Sequence, residues 1–281
     1  MRMRVFLFLV IWVFSGVVQA QQSSPIREFI STNLQEDGKQ VRLELLVHKP
    51  AGAGPFPTLV FNHGSTGNGN DPAQFKRSFA PKSVADYFVE RGWMVLFPQR
   101  RGRGASDGLY DEGFQPDRSR YACQAADSLP GVDRAIQDLD AVMEHVRTRT
   151  DVQQDRVLIG GQSRGGILAI AYAGERPDAF VGVINFVGGW LGSRCEHAVT
   201  VNTTTFKRGG KFPKPTLWIY GDSDPFYPLS HSRGNFEAFK AAGGTGSFES
   251  YWVPGSNTGH LVFLHPRLWS DHMSSYLGRV K

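Results

Sequence analysis

Cysteine is scarce: the 281-residue chain has two, Cys123 and Cys195. That excludes a disulfide-dense small scaffold. With no clustered Cys/His spacing it also argues against zinc, so no metal and no cofactor is expected. Long apolar runs are scarce too. The one near the N-terminus, starting at Val5, amounts to about 14 residues against the ~20 that span a bilayer. Excess charge of one sign is missing as well. The net charge is +5, and without Arg2 and Arg4 there remain 29 basic against 26 acidic residues. No basic helix or basic–aromatic stripe occurs, so no nucleic-acid partner is expected. The one short cluster, Arg100-Arg101-Gly102-Arg103, reads as solvated loop arginines. Neither an internal repeat nor a low-complexity linker marks a domain boundary, and 41% hydrophobic with 20% charged residues is ordinary globular composition.

What is present begins with a leader. Two arginines, an apolar stretch and the small-residue exit Ser15-Gly16-Val17-Val18-Gln19-Ala20 describe a secretory signal peptide over 1–20. The alternative, a membrane anchor, is too short and lacks stop-transfer charges. The expected product is a single domain over 21–281, secreted or periplasmic, with no membrane association after cleavage. In that oxidising setting an even cysteine count favours a Cys123–Cys195 bridge over two separate thiols. Oligomeric state is left open.

Apolar alternation at 26–32 and 41–48 around Glu36-Asp37-Gly38-Lys39 predicts a hairpin. Short continuous apolar runs at 58–62, 93–97, 157–160, 181–187 and 216–220 are of the buried-strand type, and a last strand is expected at 248–253. Helical patterns lie at 82–91, from Val132 to Arg147, and at 164–175, 232–242 and 268–277. Strands alternating with helices predict an α/β fold: a mostly parallel sheet with helices on both faces. Two segments exceed ordinary connections. Residues 102–131 read as a loop, and 188–215 as a lid or specificity insertion after strand six.

Gly161-Gln162-Ser163-Arg164-Gly165 matches G-x-S-x-G, and so does Gly104-Ala105-Ser106-Asp107-Gly108. Context separates them. Ser163 stands between an apolar strand and a helix, where a sharp turn lifts a hydroxyl above the sheet. Ser106 sits in a Gly/Asp-rich loop and reads as structural. A serine nucleophile needs a base and an orienting acid. Asp222 and Asp224 both follow the strand at 216–220; Asp224 reaches further over the sheet and is preferred, leaving Asp222 to shape the turn. Among the histidines, His260 in the glycine-flanked loop after the last strand is preferred to His265, which stands just before Pro266. His48 and His145 read as surface or core. For an oxyanion hole, the backbone N–H groups of Arg164 and of Ser65, in His63-Gly64-Ser65-Thr66-Gly67, are the expected donors. Trp190, Phe226 and Tyr227 are the expected aromatic wall of the substrate pocket.

These motifs, spread over nearly all of the chain after its leader, resemble the α/β-hydrolase superfamily. Pro98-Gln99-Arg100-Arg101-Gly102-Arg103-Gly104-Ala105-Ser106 is similar to the Arg-Gly-x-Gly-x-Ser loop after strand four in its dienelactone hydrolase-like and prolyl oligopeptidase-like branch. The resemblance implies an eight-stranded sheet and a Ser163–Asp224–His260 triad. Dienelactone hydrolases proper carry a cysteine where this chain has Ser163, so their substrate does not transfer. The expectation is a serine carboxylesterase acting on a small-molecule ester, short-chain or aromatic. A short-peptide peptidase and a thioesterase or acyltransferase are the alternatives. A non-catalytic binding module is the remaining one, disfavoured by an intact triad.

Overall fold

Four residues, Glu36 to Lys39, set the first hairpin. The computed structural model describes residues 24–280, and there β1 (Ile26–Glu36) and β2 (Lys39–His48) pair antiparallel. Between them Asp37 and Gly38 both take positive φ, 50° and 72°. Such a turn matches the twist of the flanking strands, and an Asp-Gly pair tolerates it with little strain. The signal peptide expected over 1–20 lies outside the described residues.

The next strands are β3 (Phe56–Asn62), β4 (Met94–Pro98), β5 (Val152–Gln162), β6 (Gly182–Phe186), β7 (Thr216–Gly221) and β8 (Gly246–Tyr251). Their order across the sheet is β1-β2-β4-β3-β5-β6-β7-β8. The first two pairings, β1 with β2 and β2 with β4, are antiparallel and the rest parallel. β4, β6 and β7 are buried along their whole length, which explains their unbroken apolar runs. The chain leaves β3 for β4 on one side and returns to β5 on the other. Strand order reverses there, and the crevice above the ends of β3 and β5 is where such sheets bind ligands.

The helices are α1 (Pro72–Phe75), α2 (Lys82–Val89), α3 (Ala125–Thr148), α4 (Arg164–Glu175), α5 (Ala198–Arg208), α6 (Leu229–Ala241) and α7 (Pro266–Arg279). α2 and α7 pack on each other, while α3, α4, α5 and α6 form a second group. Two expectations need correction. The loop expected to run to Gly131 ends at Gln124, because α3 already begins at Ala125 and carries Pro130 and Gly131 inside it. A Cβ at Gly131 would lie 2.5 Å from the Glu112 carbonyl carbon, so this glycine admits a crossing backbone rather than ending a helix. Nor are the loop arginines solvated. Arg100, Arg101 and Arg103 are all buried. Arg100 pairs with Glu112 and Arg101 with Asp138, while Arg103 donates to the Gln74 carbonyl.

Segment 188–215 holds α5 and one short 3₁₀ turn (Gly209–Lys211). Val201, Thr205 and Phe206 of α5 are buried. A Cys123–Cys195 disulfide ties this segment to the chain just before α3.

Candidate active site

Ser163 is the single residue between β5 and α4. Its backbone has φ 58° and ψ −123°, strained for a residue with a side chain. The surroundings hold it there. Its N–H donates to the Phe186 carbonyl at 3.0 Å. Around it the elements approach closely: a Cβ at Gly161 would come within 2.4 Å of the Gly165 carbonyl carbon, and one at Gly165 within 2.1 Å of the Asn62 carbonyl oxygen. The two motif glycines let α4 start directly over the ends of β3 and β5.

Beyond β7, the two aspartates have different partners. Asp222 Oδ1 accepts from the Val253 N–H at 3.0 Å and fastens the segment that follows β8. Asp224 is buried; its Oδ1 accepts from the N–H groups of Phe226 and Tyr227 at 2.8 and 3.0 Å. Its Oδ2 accepts from His260 Nδ1 at 2.9 Å. His260 lies in a 3₁₀ turn (Gly259–Leu264) that seats on the β7 loop, since a Cβ at Gly259 would fall 1.8 Å from the Asp222 carbonyl oxygen. His265 instead precedes α7 as its N-terminal cap residue. On the far side of the His260 ring, Nε2 lies 2.9 Å from Gln162 Nε2, the amide adjoining Ser163 in sequence. No hydrogen bond joins Ser163 to His260 among the described residues. Ser106 is remote in role: its hydroxyl donates to the Gln99 carbonyl and accepts from the Glu44 N–H.

The loop after β3 closes the third side. His63 is fully buried, its Nε2 accepting from the Arg100 N–H at 3.1 Å and its Nδ1 donating to the Gly64 carbonyl at 2.8 Å. Burial, reinforced by the Arg100 and Arg103 cations, holds the ring well below the ordinary histidine range, so it stays neutral. Gly64 packs on the elbow: a Cβ there would sit 2.9 Å from Ser163 Cβ. Neither the Ser65 nor the Arg164 N–H has a protein acceptor among the described residues.

Arg164 carries a second feature that no sequence pattern signals. Its Nε donates to the Trp190 carbonyl at 3.0 Å and its Nη1 to the Glu112 carbonyl at 2.7 Å. The guanidinium carbon lies 3.4 Å from the centre of the Tyr121 ring and 4.4 Å from that of Trp190. The Glu112 carboxylate meets Arg100 at 2.6 Å and Arg164 at 3.5 Å. This cluster corrects the expected aromatic wall. Trp190 is 1% exposed and packs against the arginine. Tyr227 is buried, its hydroxyl donating to the Gly189 carbonyl at 2.7 Å. Phe226 is 48% exposed and stands edge-on to His260 at 4.9 Å. Of the three rings, Phe226 faces solvent, beside His260.

A cavity of about 410 Å³ opens beside the disulfide, lined among others by Gln115, Asp117, Cys123 and Asp127, and shares no residue with the Ser163 group. Among the described residues no group of His, Cys, Asp or Glu is arranged to hold a metal ion, and no helix is long and apolar enough to cross a membrane.

Residues 77–194 match the family model described as serine aminopeptidase, S33. The chain is 31% identical over 106 residues to NocK of Nocardia uniformis subsp. tsuyamanensis, named as a candidate esterase; the match covers 38% of this chain and 28% of that protein. Three solved structures are similar over most of the chain. Est1E from Butyrivibrio proteoclasticus with bound ferulic acid has TM-score 0.61 and 15% identity, covering 90% of this chain and 98% of that one. Acetyl xylan esterase from Paenibacillus sp. R4 has TM-score 0.60 and 16% identity, covering 92% and 90%. A protein of Klebsiella pneumoniae subsp. pneumoniae named as a candidate dienelactone hydrolase has TM-score 0.57 and 17% identity, covering 92% and 100%. The chain has the α/β-hydrolase fold.

Proposed function

We propose that the chain is a serine carboxylesterase acting on small esters with a short or aromatic acyl group. One observation carries the reading: a buried aspartate orients a histidine at 2.9 Å, and that ring reaches the residue adjoining a strained serine at a strand–helix elbow. In this mechanism Ser163 Oγ attacks the acyl carbonyl carbon while His260 Nε2 takes its proton. Asp224 keeps the other ring proton on Nδ1 and stabilises the imidazolium. The carbonyl oxygen, now an oxyanion, accepts from the Ser65 and Arg164 N–H groups. The tetrahedral species collapses, the C–O bond to the alcohol breaks, and His260 returns the proton to the leaving oxygen. Water, activated by the same ring, then releases the acid and frees Ser163.

The esterase names of similar proteins support an ester substrate. The matching family model bears the name of an aminopeptidase, which gives the peptidase reading its one specific support. An aminopeptidase has a free substrate amine to hold. Of the buried carboxylates near this elbow, Glu112 is engaged by Arg100 and Arg164, and Asp224 by His260 and the Phe226 and Tyr227 N–H groups. The signal-peptide pattern expected over 1–20 supports a secreted or periplasmic enzyme. Segment 188–215, bridged at Cys195 and packed through α5, serves as a fixed specificity wall, and no activation at a lipid interface is expected.

The test compares p-nitrophenyl acyl esters of increasing length with aminoacyl and prolyl anilides, for wild type and Ser163→Ala. Wild type should prefer short or aromatic esters, and Ser163→Ala should lose ~10⁴-fold or more in kcat together with labelling by a fluorophosphonate. Anilide cleavage exceeding ester cleavage would transfer the assignment to the peptidase.

A further inference from the structure

The base has its lone pair occupied by a neighbour. Gln162, the last residue of β5, is 6% exposed, and its Nε2 lies 2.9 Å from His260 Nε2. Its Oε1 lies against the loop after β3, where a Cβ on Gly64 would come within 2.4 Å of it. The carboxamide thus spans from the histidine to the loop that holds Ser65. Those two groups flank the ground a reacting acyl carbon must occupy.

His260 Nδ1 faces Asp224 Oδ2 at 2.9 Å, so the ring proton belongs on Nδ1 and Nε2 is left as the acceptor. An imidazole nitrogen has one lone pair. While it accepts from the Gln162 amide it has none for the Ser163 hydroxyl, and no hydrogen bond between Ser163 and His260 is present among the described residues. Turning the amide over brings Oε1 to the ring, and that orientation holds the protonated ring instead. Either way, displacing the amide frees the base.

We propose that Gln162 is a positioning residue: its carboxamide caps His260 in the unliganded enzyme and is moved aside by the arriving acyl group. This rests on the esterase reading above. Serine reactivity is then coupled to occupancy of the crevice, and a substrate too small to displace the amide meets a poorly activated nucleophile. The groups facing the ring are few. Asp224 supplies the carboxylate, Phe226 and Tyr227 the two rings packed on it at 4.9 and 5.7 Å. Burial pushes the Tyr227 hydroxyl well up, so it stays protonated across the working range.

The experiment measures the rate of Ser163 labelling by a small alkyl fluorophosphonate, and the pH profile of kcat/KM on a short ester, in wild type, Gln162→Met and Gln162→Glu. Methionine fills the same volume without an N–H donor, so Gln162→Met should label about three- to tenfold faster, the effect of removing one competing hydrogen bond. Gln162→Glu places a carboxylate opposite Nε2 and should move the acid limb of the profile up by about one pH unit. A melting temperature is recorded for each variant to separate misfolding from chemistry. If wild type labels and Gln162→Met, folded, labels no faster while the acid limb of Gln162→Glu stays put, the cap is overturned and Gln162 only packs. If wild type itself fails to label at Ser163, the esterase reading falls, and the cap falls with it.

Discussion

Replacing Glu112 by glutamine is the sharpest test of the buried cluster beneath the candidate active site. The carboxylate is 3% exposed and meets Arg100 at 2.6 Å and Arg164 at 3.5 Å, both arginines also buried. Two unit charges 4 Å apart attract by about 4 kcal/mol at an effective dielectric of 20. Removing one partner of a buried pair loses about 3–5 kcal/mol, because the remaining charge stays desolvated. Glutamine keeps the shape and one acceptor, so the loss is electrostatic. At about 2–4 °C per kcal/mol for a domain of this size, the melting temperature should drop by about 10 °C. Urea denaturation under non-reducing conditions gives the free energy directly. The reasoning also fixes the sign of a coupling. Glu112→Gln combined with Arg164→Met removes one of the two stranded cations, so the double variant should be more stable than the summed single losses by about 2 kcal/mol. Additivity within about 0.5 kcal/mol, or a Glu112→Gln loss below about 1 kcal/mol, would refute the reading.

Three further outcomes follow from the geometry. Asp224→Asn should lower kcat by about 10⁴ through the wrong imidazole tautomer, whereas Asp222→Asn, which loses a bond to the Val253 N–H, should cost far less activity; steady-state kinetics on one ester ranks them. Replacing Cys123 and Cys195 by serine opens a loop with a sequence separation of 72 and should cost about 4 kcal/mol in the chain-entropy account, and thiol titration of denatured, non-reduced wild type should find no free thiol. His63 stays neutral when folded, so its contribution to stability is complete above the unfolded value of about 6.5 and is lost as pH falls below it. At pH 5.5 that loss is about 1.4 kcal/mol, so between pH 7.5 and 5.5 the unfolding free energy of wild type should fall by about that much more than that of His63→Asn, as read from urea denaturation at the two pH values.

The parts of the site that local chemistry dictates were legible in the sequence. The elbow announces itself because a strand must turn into a helix around a small-residue neighbourhood, and Asp224 outreaches Asp222 simply by lying further along its loop. What escaped was set by partners distant in sequence. Arg101 reads as solvent-seeking until Asp138 is seen beneath it, 37 residues on. Gly131 reads as a break until the Glu112 backbone is found crossing α3 there. Trp190 reads as a pocket wall, since nothing local reveals that the Arg164 side chain lies against it. Gln162 occupies a variable position of its motif, and only the fold puts its amide against His260.

The clamp on Arg164 joins two segments distant in sequence into a single structural unit. One of its rings, Tyr121, stands two residues before Cys123, and the other, Trp190, five residues before Cys195, so covalent and non-covalent ties join the same pair of segments. Grafting a foreign segment over 188–215 would strip one face from the guanidinium of the residue that follows Ser163. Exchanging both segments together would keep the clamp intact, whereas exchanging one alone leaves the Arg164 guanidinium without one of its two rings.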